Sequence, residues 1–166
     1  MKKAITILLL SLIATSCYNI SVNQTEKIVN YPNLITHVNP FIGTKNMGHT
    51  FPGATAPFGM VQLSPETNQQ PMFLDGKYNR DTYKYCSGYQ YSDSTIFGFS
   101  HTHFSGTGHS DLGDFLIMPT TGILQLEPGT VGELQSGYHS SFSHDTEYAE
   151  PGYYKVELDD YNIDVQ

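Results

Sequence analysis

Tryptophan is absent from this 166-residue chain, cysteine occurs only twice, and Lys and Arg together number 8 against 16 Asp and Glu. The charge balance of −8, with no basic run in the mature chain, excludes a nucleic-acid footprint, because phosphate binding needs clustered cations. Two cysteines cannot build a disulfide framework. Helix is lacking as well: no amphipathic stretch of ordinary helical length can be drawn. The largely apolar run from Ala4 to Leu10 is too short to cross a bilayer.

What is present begins with an export signal. Two lysines precede that apolar run, and small residues lead up to Cys17. This is the layout of a secretory leader, and the ending Ala14-Thr15-Ser16-Cys17 looks like a bacterial lipobox in which Cys17 receives a lipid after cleavage. The alternative is an ordinary signal peptide with a chance cysteine, which leaves a Cys17–Cys86 bridge open. The expected organisation is a lipoprotein signal over 1–16, a polar tether over 17–35 and a β domain over 36–166, cut short at its C-terminal end. The expected location is a membrane-anchored position at the cell surface or in the periplasm.

Fifteen glycines, nine prolines and twelve tyrosines punctuate short apolar stretches, which predicts an all-β, antiparallel β-sandwich. Strands are expected at 58–63, 86–91, 95–101, 114–118, 122–126, 153–158 and 161–165. In the run Tyr154-Lys155-Val156-Glu157-Leu158 the apolar residues fall on one face. The last alternating run stops at Gln166 without a polar cap, which suggests a fragment of a longer chain.

Three segments could carry chemistry. Between Asn39 and Pro65, glycines and prolines interrupt a run with Phe41, Phe51 and Phe58, so the chain builds a shaped loop with an aromatic rim. Packing for stability alone explains that loop equally well. Between Gly98 and Asp114, His101, His103, His109, Asp111 and Asp114 gather around glycines. His101 and His103 have the same-side spacing of a metal pair on a strand, yet no third ligand is fixed, and ties within the loop or contacts to sugar hydroxyls are the more ordinary readings. Between Tyr78 and Tyr91, five tyrosines flank Cys86-Ser87-Gly88; a tyrosine face suits a sugar ring and its hydroxyl suits a hydrogen bond. The same alternation suits a plain strand. Glu66, Asp75, Asp93, Asp111 and Asp114 are the carboxylates from which a glycosidase pair could come, and none is singled out by its context.

The blocks Asn39-Pro-Phe-Ile-Gly-Thr, Gly48-His-Thr-Phe-Pro-Gly-Ala, Pro57-Phe-Gly-Met-Val-Gln-Leu-Ser-Pro, Cys86-Ser-Gly-Tyr-Gln-Tyr-Ser-Asp, Gly98-Phe-Ser-His-Thr-His, Ser105-Gly-Thr-Gly, Asp111-Leu-Gly-Asp and Pro151-Gly-Tyr-Tyr resemble, in order, glycoside hydrolase family 92. The resemblance implies an N-terminal sandwich followed by a C-terminal helical-barrel domain of the same chain. It also implies an exo-acting, calcium-dependent, inverting α-mannosidase that removes terminal α-mannosyl residues from glycans. That family's catalytic acids and most groups around Ca2+ belong to the barrel, so no catalytic residue and no metal ligand is assigned here. The substrate-binding candidates are His49, Tyr85, His101, His103, Asp111 and Asp114, on loops expected to wall the cleft. Members often carry tryptophan before the Cys-Ser-Gly-Tyr block, where this chain has Lys84 and Tyr85. A surface lipoprotein that binds glycans without cutting them is the competing reading.

Overall fold

A computed structural model describes residues 33–106, 115–133 and 136–166. The expected signal and Cys17 lie outside them. The longest strand arises where alternation in the sequence is cleanest. Tyr154, Val156 and Leu158 are buried on one face of the strand Tyr153–Leu158 and alternate with less buried neighbours. Removing three such side chains from water contributes about 1.5–3 kcal/mol each.

Among the described residues ten short strands are formed: β1 Ser64–Glu66, β2 Phe73–Leu74, β3 Lys77–Tyr78, β4 Thr95–Ile96, β5 Gly98–Ser100, β6 Leu116–Ile117, β7 Ser140–Ser141, β8 Tyr148–Glu150, β9 Tyr153–Leu158 and β10 Ile163–Val165. Every pairing is antiparallel. One three-stranded sheet has the order β1-β5-β6 and another the order β10-β9-β8, with β2-β3 and β4-β7 as two-stranded ribbons. Phe99 from β5, Ile96 from β4 and Tyr154, Val156 and Leu158 from β9 meet Tyr89 and Phe142 in one buried cluster. The all-β, antiparallel expectation holds, and the helical content of the described residues is two 3-10 turns, Leu34–His37 and Arg80–Tyr85.

Several expected strands are replaced by turns, each for a local reason. Residues 86–91 form no strand: the Cys86 N–H donates to the Tyr83 carbonyl, the Gly88 N–H donates to the Tyr85 carbonyl, and Gly88 sits at φ +76°. These bonds extend the 3-10 turn and override the β preference of the tyrosines. In 58–63, Val61 N–H closes a turn onto Phe58, and Leu63 alone makes an isolated bridge, to Ala54. Residues 122–126 follow Gly122 at φ +84° and pair with no described strand. The run 95–101 divides at Phe97, because β4 pairs with β7 whereas β5 pairs with β1 and β6. The run 161–165 begins as a turn, with Asn162 at φ 52°, before β10 starts at Ile163.

Candidate glycan-facing site

Three loops converge beside β1 and β5. The first, 43–50, is so tight that a Cβ on Gly48 would lie 2.0 Å from the Gly43 carbonyl oxygen. It holds His49 at φ 52°, a left-handed angle that costs a non-glycine residue energy and is met most often where function demands it. His49 is 3% exposed. Its carbonyl accepts from the Gly106 N–H at 2.7 Å, and its ring meets Tyr83 edge-on at 5.0 Å. Its Nε2 is buried with no hydrogen-bond partner among the described residues. The Ser87 hydroxyl, in the neighbouring loop, is the other such atom. Buried polar atoms are almost always satisfied, so an orphan calls for an explanation.

The second feature is a polar node beneath these loops. His103 is buried with both ring nitrogens engaged. Nδ1 lies 2.6 Å from the Gln62 carbonyl, so it donates. Nε2 lies 3.0 Å from Glu66 Oε1 and 3.1 Å from Ser100 Oγ, and the Ser100 hydroxyl donates to the same carboxylate at 2.5 Å. Phe51 packs against the His103 ring at 5.1 Å. Glu66 also supports the Cys86-Ser87-Gly88 loop, since a Cβ on Gly88 would fall 2.4 Å from its Oε2.

A second buried carboxylate grips that loop one residue later. Glu147 has a fully buried side chain and accepts from the hydroxyls of Tyr89 at 2.9 Å and Tyr154 at 2.6 Å. The His144 ring lies 2.5 Å from it through Nδ1. Burial first, then the Glu147 charge and hydrogen bond, push both tyrosine hydroxyls well above the usual phenol range.

The remaining candidates are placed differently. Tyr85 is 6% exposed, donates its hydroxyl to Asp93 Oδ2 at 2.9 Å and lies under Lys84 Nζ at 4.9 Å from the ring centroid. Its hydroxyl is raised above the phenol range by burial first and Asp93 second. His101 follows β5 and turns to Phe115, whose N–H donates to its Nδ1 at 3.3 Å. It therefore separates from His103 instead of forming a pair with it. His49 is paired with Tyr83, and His103 with Phe51; Asp111 and Asp114 lie outside the described residues. Among the described residues no three His, Cys, Asp or Glu side chains gather as a metal site.

Ser100, Gln62 and Glu147 went unnoticed in the sequence. Their roles depend on the register Ser64↔Ser100 and on contacts such as Tyr89 to Glu147, across 58 positions, for which no local signal exists.

A model of the glycosyl hydrolase family 92 N-terminal domain matches residues 37–166. The chain belongs to this family. The GH92 α-mannosidase from Bacteroides thetaiotaomicron, solved in complex with mannoimidazole, is 47% identical with a TM-score of 0.69, over 80% of this chain and 16% of that one. Another solved GH92 family glycosyl hydrolase is 35% identical with a TM-score of 0.57, over 76% of this chain and 14% of that one. An uncharacterized secreted glycosidase of Arthroderma benhamiae is 29% identical over 129 residues, 75% of this chain and 14% of its own length. The GH92 chain described here thus spans about one seventh of these relatives.

Proposed function

We propose that the chain is the N-terminal sandwich of an exo-acting, inverting α-mannosidase that hydrolyses terminal α-mannosyl residues of glycans. The observation that carries the reading is the 47% identity with a solved α-mannosidase across 80% of the chain. The catalytic acid and base, and most ligands of Ca2+, belong to a helical-barrel domain of the same protein that these residues do not include. Calcium would engage the sugar hydroxyls there.

The role of the sandwich is to wall one side of the sugar crevice. His49 supports this most directly, because its buried Nε2 has no partner among the described residues, and a sugar hydroxyl that reached it as the loops adjusted would satisfy it. His103 acts one step behind: with both nitrogens occupied, it holds Glu66, and Glu66 braces the Ser87-Gly88 turn. Tyr85 sets the shape of the same turn through Asp93. His101, Asp111 and Asp114 complete the wall from the histidine-rich loop. Export agrees with the secreted relative, and lipidation of Cys17 would then fix the enzyme to a membrane.

The test is to express the gene to its natural stop codon and follow mannose release from aryl and disaccharide α-mannosides by proton NMR. Release of β-mannose first, abolished by a calcium chelator, is expected; release of the α-anomer, or no mannose at all, would sink the proposal. Cys17→Ser should move the protein from the membrane to the soluble fraction, and unchanged membrane retention would dismiss the anchor.

A further inference from the structure

A groove of about 490 Å³ opens past the end of β1 and shares no lining residue with the His49 site. One wall is Asn68-Gln69-Gln70, turned by the Gln70 N–H donating to Asn68 Oδ1 at 2.8 Å. The opposite wall is the turn at 128–131, and Phe97 contributes apolar surface between them.

The 128–131 wall and Phe97 are braced from outside the groove. The Tyr138 N–H donates to the Glu127 carbonyl at 2.9 Å, His139 Nδ1 donates to the Pro128 carbonyl at 2.6 Å, and the Thr130 N–H donates to Ser136 Oγ at 2.8 Å. Gly129, at φ +84°, approaches Gly137 so closely that a Cβ would lie 2.6 Å from the Gly137 nitrogen. Phe97 is backed by the His139 ring at 5.8 Å. Gln69 and Gln70 line the groove as exposed residues, and no described residue is hydrogen-bonded to their side-chain amides.

The lining has a distinct chemistry. In a chain with a net charge of −8, this groove carries no Asp, Glu, Lys, Arg or His. It offers three carboxamides and a threonine hydroxyl against Phe97, Pro71, Pro128 and Val131. Carboxamides both donate and accept, so they match vicinal hydroxyls, while the apolar side suits the C–H face of a pyranose. An anionic ligand finds no cation here, and a purely apolar one leaves the amides unmatched.

We propose that this groove is a carbohydrate-binding site specific for neutral oligosaccharides, a second one beside the His49 loops, with which it shares no lining residue. An exo-acting enzyme that consumes one chain end gains from a second hold on the same polymer, because the linked contact raises the local concentration of ends. That advantage rests on the proposed hydrolytic function; the binding itself does not.

Affinity electrophoresis of the full-length protein in gels cast with neutral α-mannan tests it. Retardation is expected in α-mannan and absent in gels cast with anionic polygalacturonate. Gln69→Ala combined with Gln70→Ala should weaken retardation about tenfold, the effect of losing two or so hydrogen bonds, while turnover of a short aryl α-mannoside stays at the wild-type level. Thr130→Trp, which fills the groove from the other wall, should do the same and guards against a folding artefact of the double variant. Wild-type retardation of both variants, no retardation of the wild-type protein, or equal retardation in polygalacturonate overturns the proposal. A parallel fall in aryl mannoside turnover in both variants overturns it as a second site. Should no mannoside be hydrolysed by any form, the hydrolase reading fails, yet the gels still report on the groove.

Discussion

His49 and His103 are both buried histidines of adjoining loops, but their side chains are in opposite situations. His49 Nε2 has no partner among the described residues, whereas His103 spends both nitrogens on Gln62 and Glu66. Replacing them in the full-length enzyme should therefore fail differently. His49→Phe, which keeps a ring against Tyr83, is expected to raise KM or lower kcat/KM for mannosides about tenfold with little change in melting temperature, because it removes the ring nitrogens and keeps the buried packing. Steady-state kinetics beside a thermal melt separates the two outcomes; wild-type kinetics would remove His49 from the crevice. His103→Ala should instead cost about 1–3 kcal/mol of stability, since it deletes a buried ring with its bonds to Gln62 and Glu66 and leaves Glu66 the Ser100 hydroxyl alone at that oxygen. The two tyrosines on Glu147 make a prediction in pH. Their folded-state values are raised above the unfolded 10.0, so their contribution is fully present below pH 10 and lost as the pH climbs beyond it. Melting temperature should fall steeply above about pH 10, and Tyr89→Phe or Tyr154→Phe should flatten the fall.

At the scale of elements, the Cys86-Ser87-Gly88-Tyr89 turn is held between two carboxylates, Glu66 against Gly88 and Glu147 on Tyr89. Gly88→Ala combines a side chain at φ +76° with a Cβ 2.4 Å from Glu66 Oε2, and is expected to destabilise by about 1–3 kcal/mol and to weaken mannoside binding. Chemical denaturation measures the first effect. This turn is also where sequence and structure part most clearly. Five tyrosines around it read as strand by preference, yet the chain curls because two local N–H groups find carbonyls three residues back and glycine permits the angle. Strand β9, by contrast, was legible residue for residue, since its alternation is enforced by a single buried face. Short strands such as β4 and β7 leave no such trace: two residues hold no periodicity, and their existence depends on partners some 45 positions apart.

Over the whole molecule, apolar side chains remain in the open to an unusual degree. Phe58 is 77% exposed, Met60 88%, Phe115 71% and Ile117 62%, and Ile123, Leu124 and Leu126 are exposed as well. Large uncovered apolar area favours association. Residues 17–166 produced alone are expected to self-associate and to lack activity on aryl mannosides, and size-exclusion chromatography with an activity assay checks both. A monodisperse, chelator-resistant enzyme would contradict the assignment of the acids and calcium to another domain. The sequence by itself determined the antiparallel β class, the alternating face of β9 and, through ordered motif blocks spread over most of the chain, membership of the family. These are written locally, in residue period and in short strings that one segment carries alone. Only the tertiary structure decided that His49 keeps an unmatched nitrogen, that His103 is consumed by Glu66, and that an uncharged groove opens beside Phe97. Each of these depends on which distant backbone stands opposite, and that is set by strand register and loop contact, which no single segment contains.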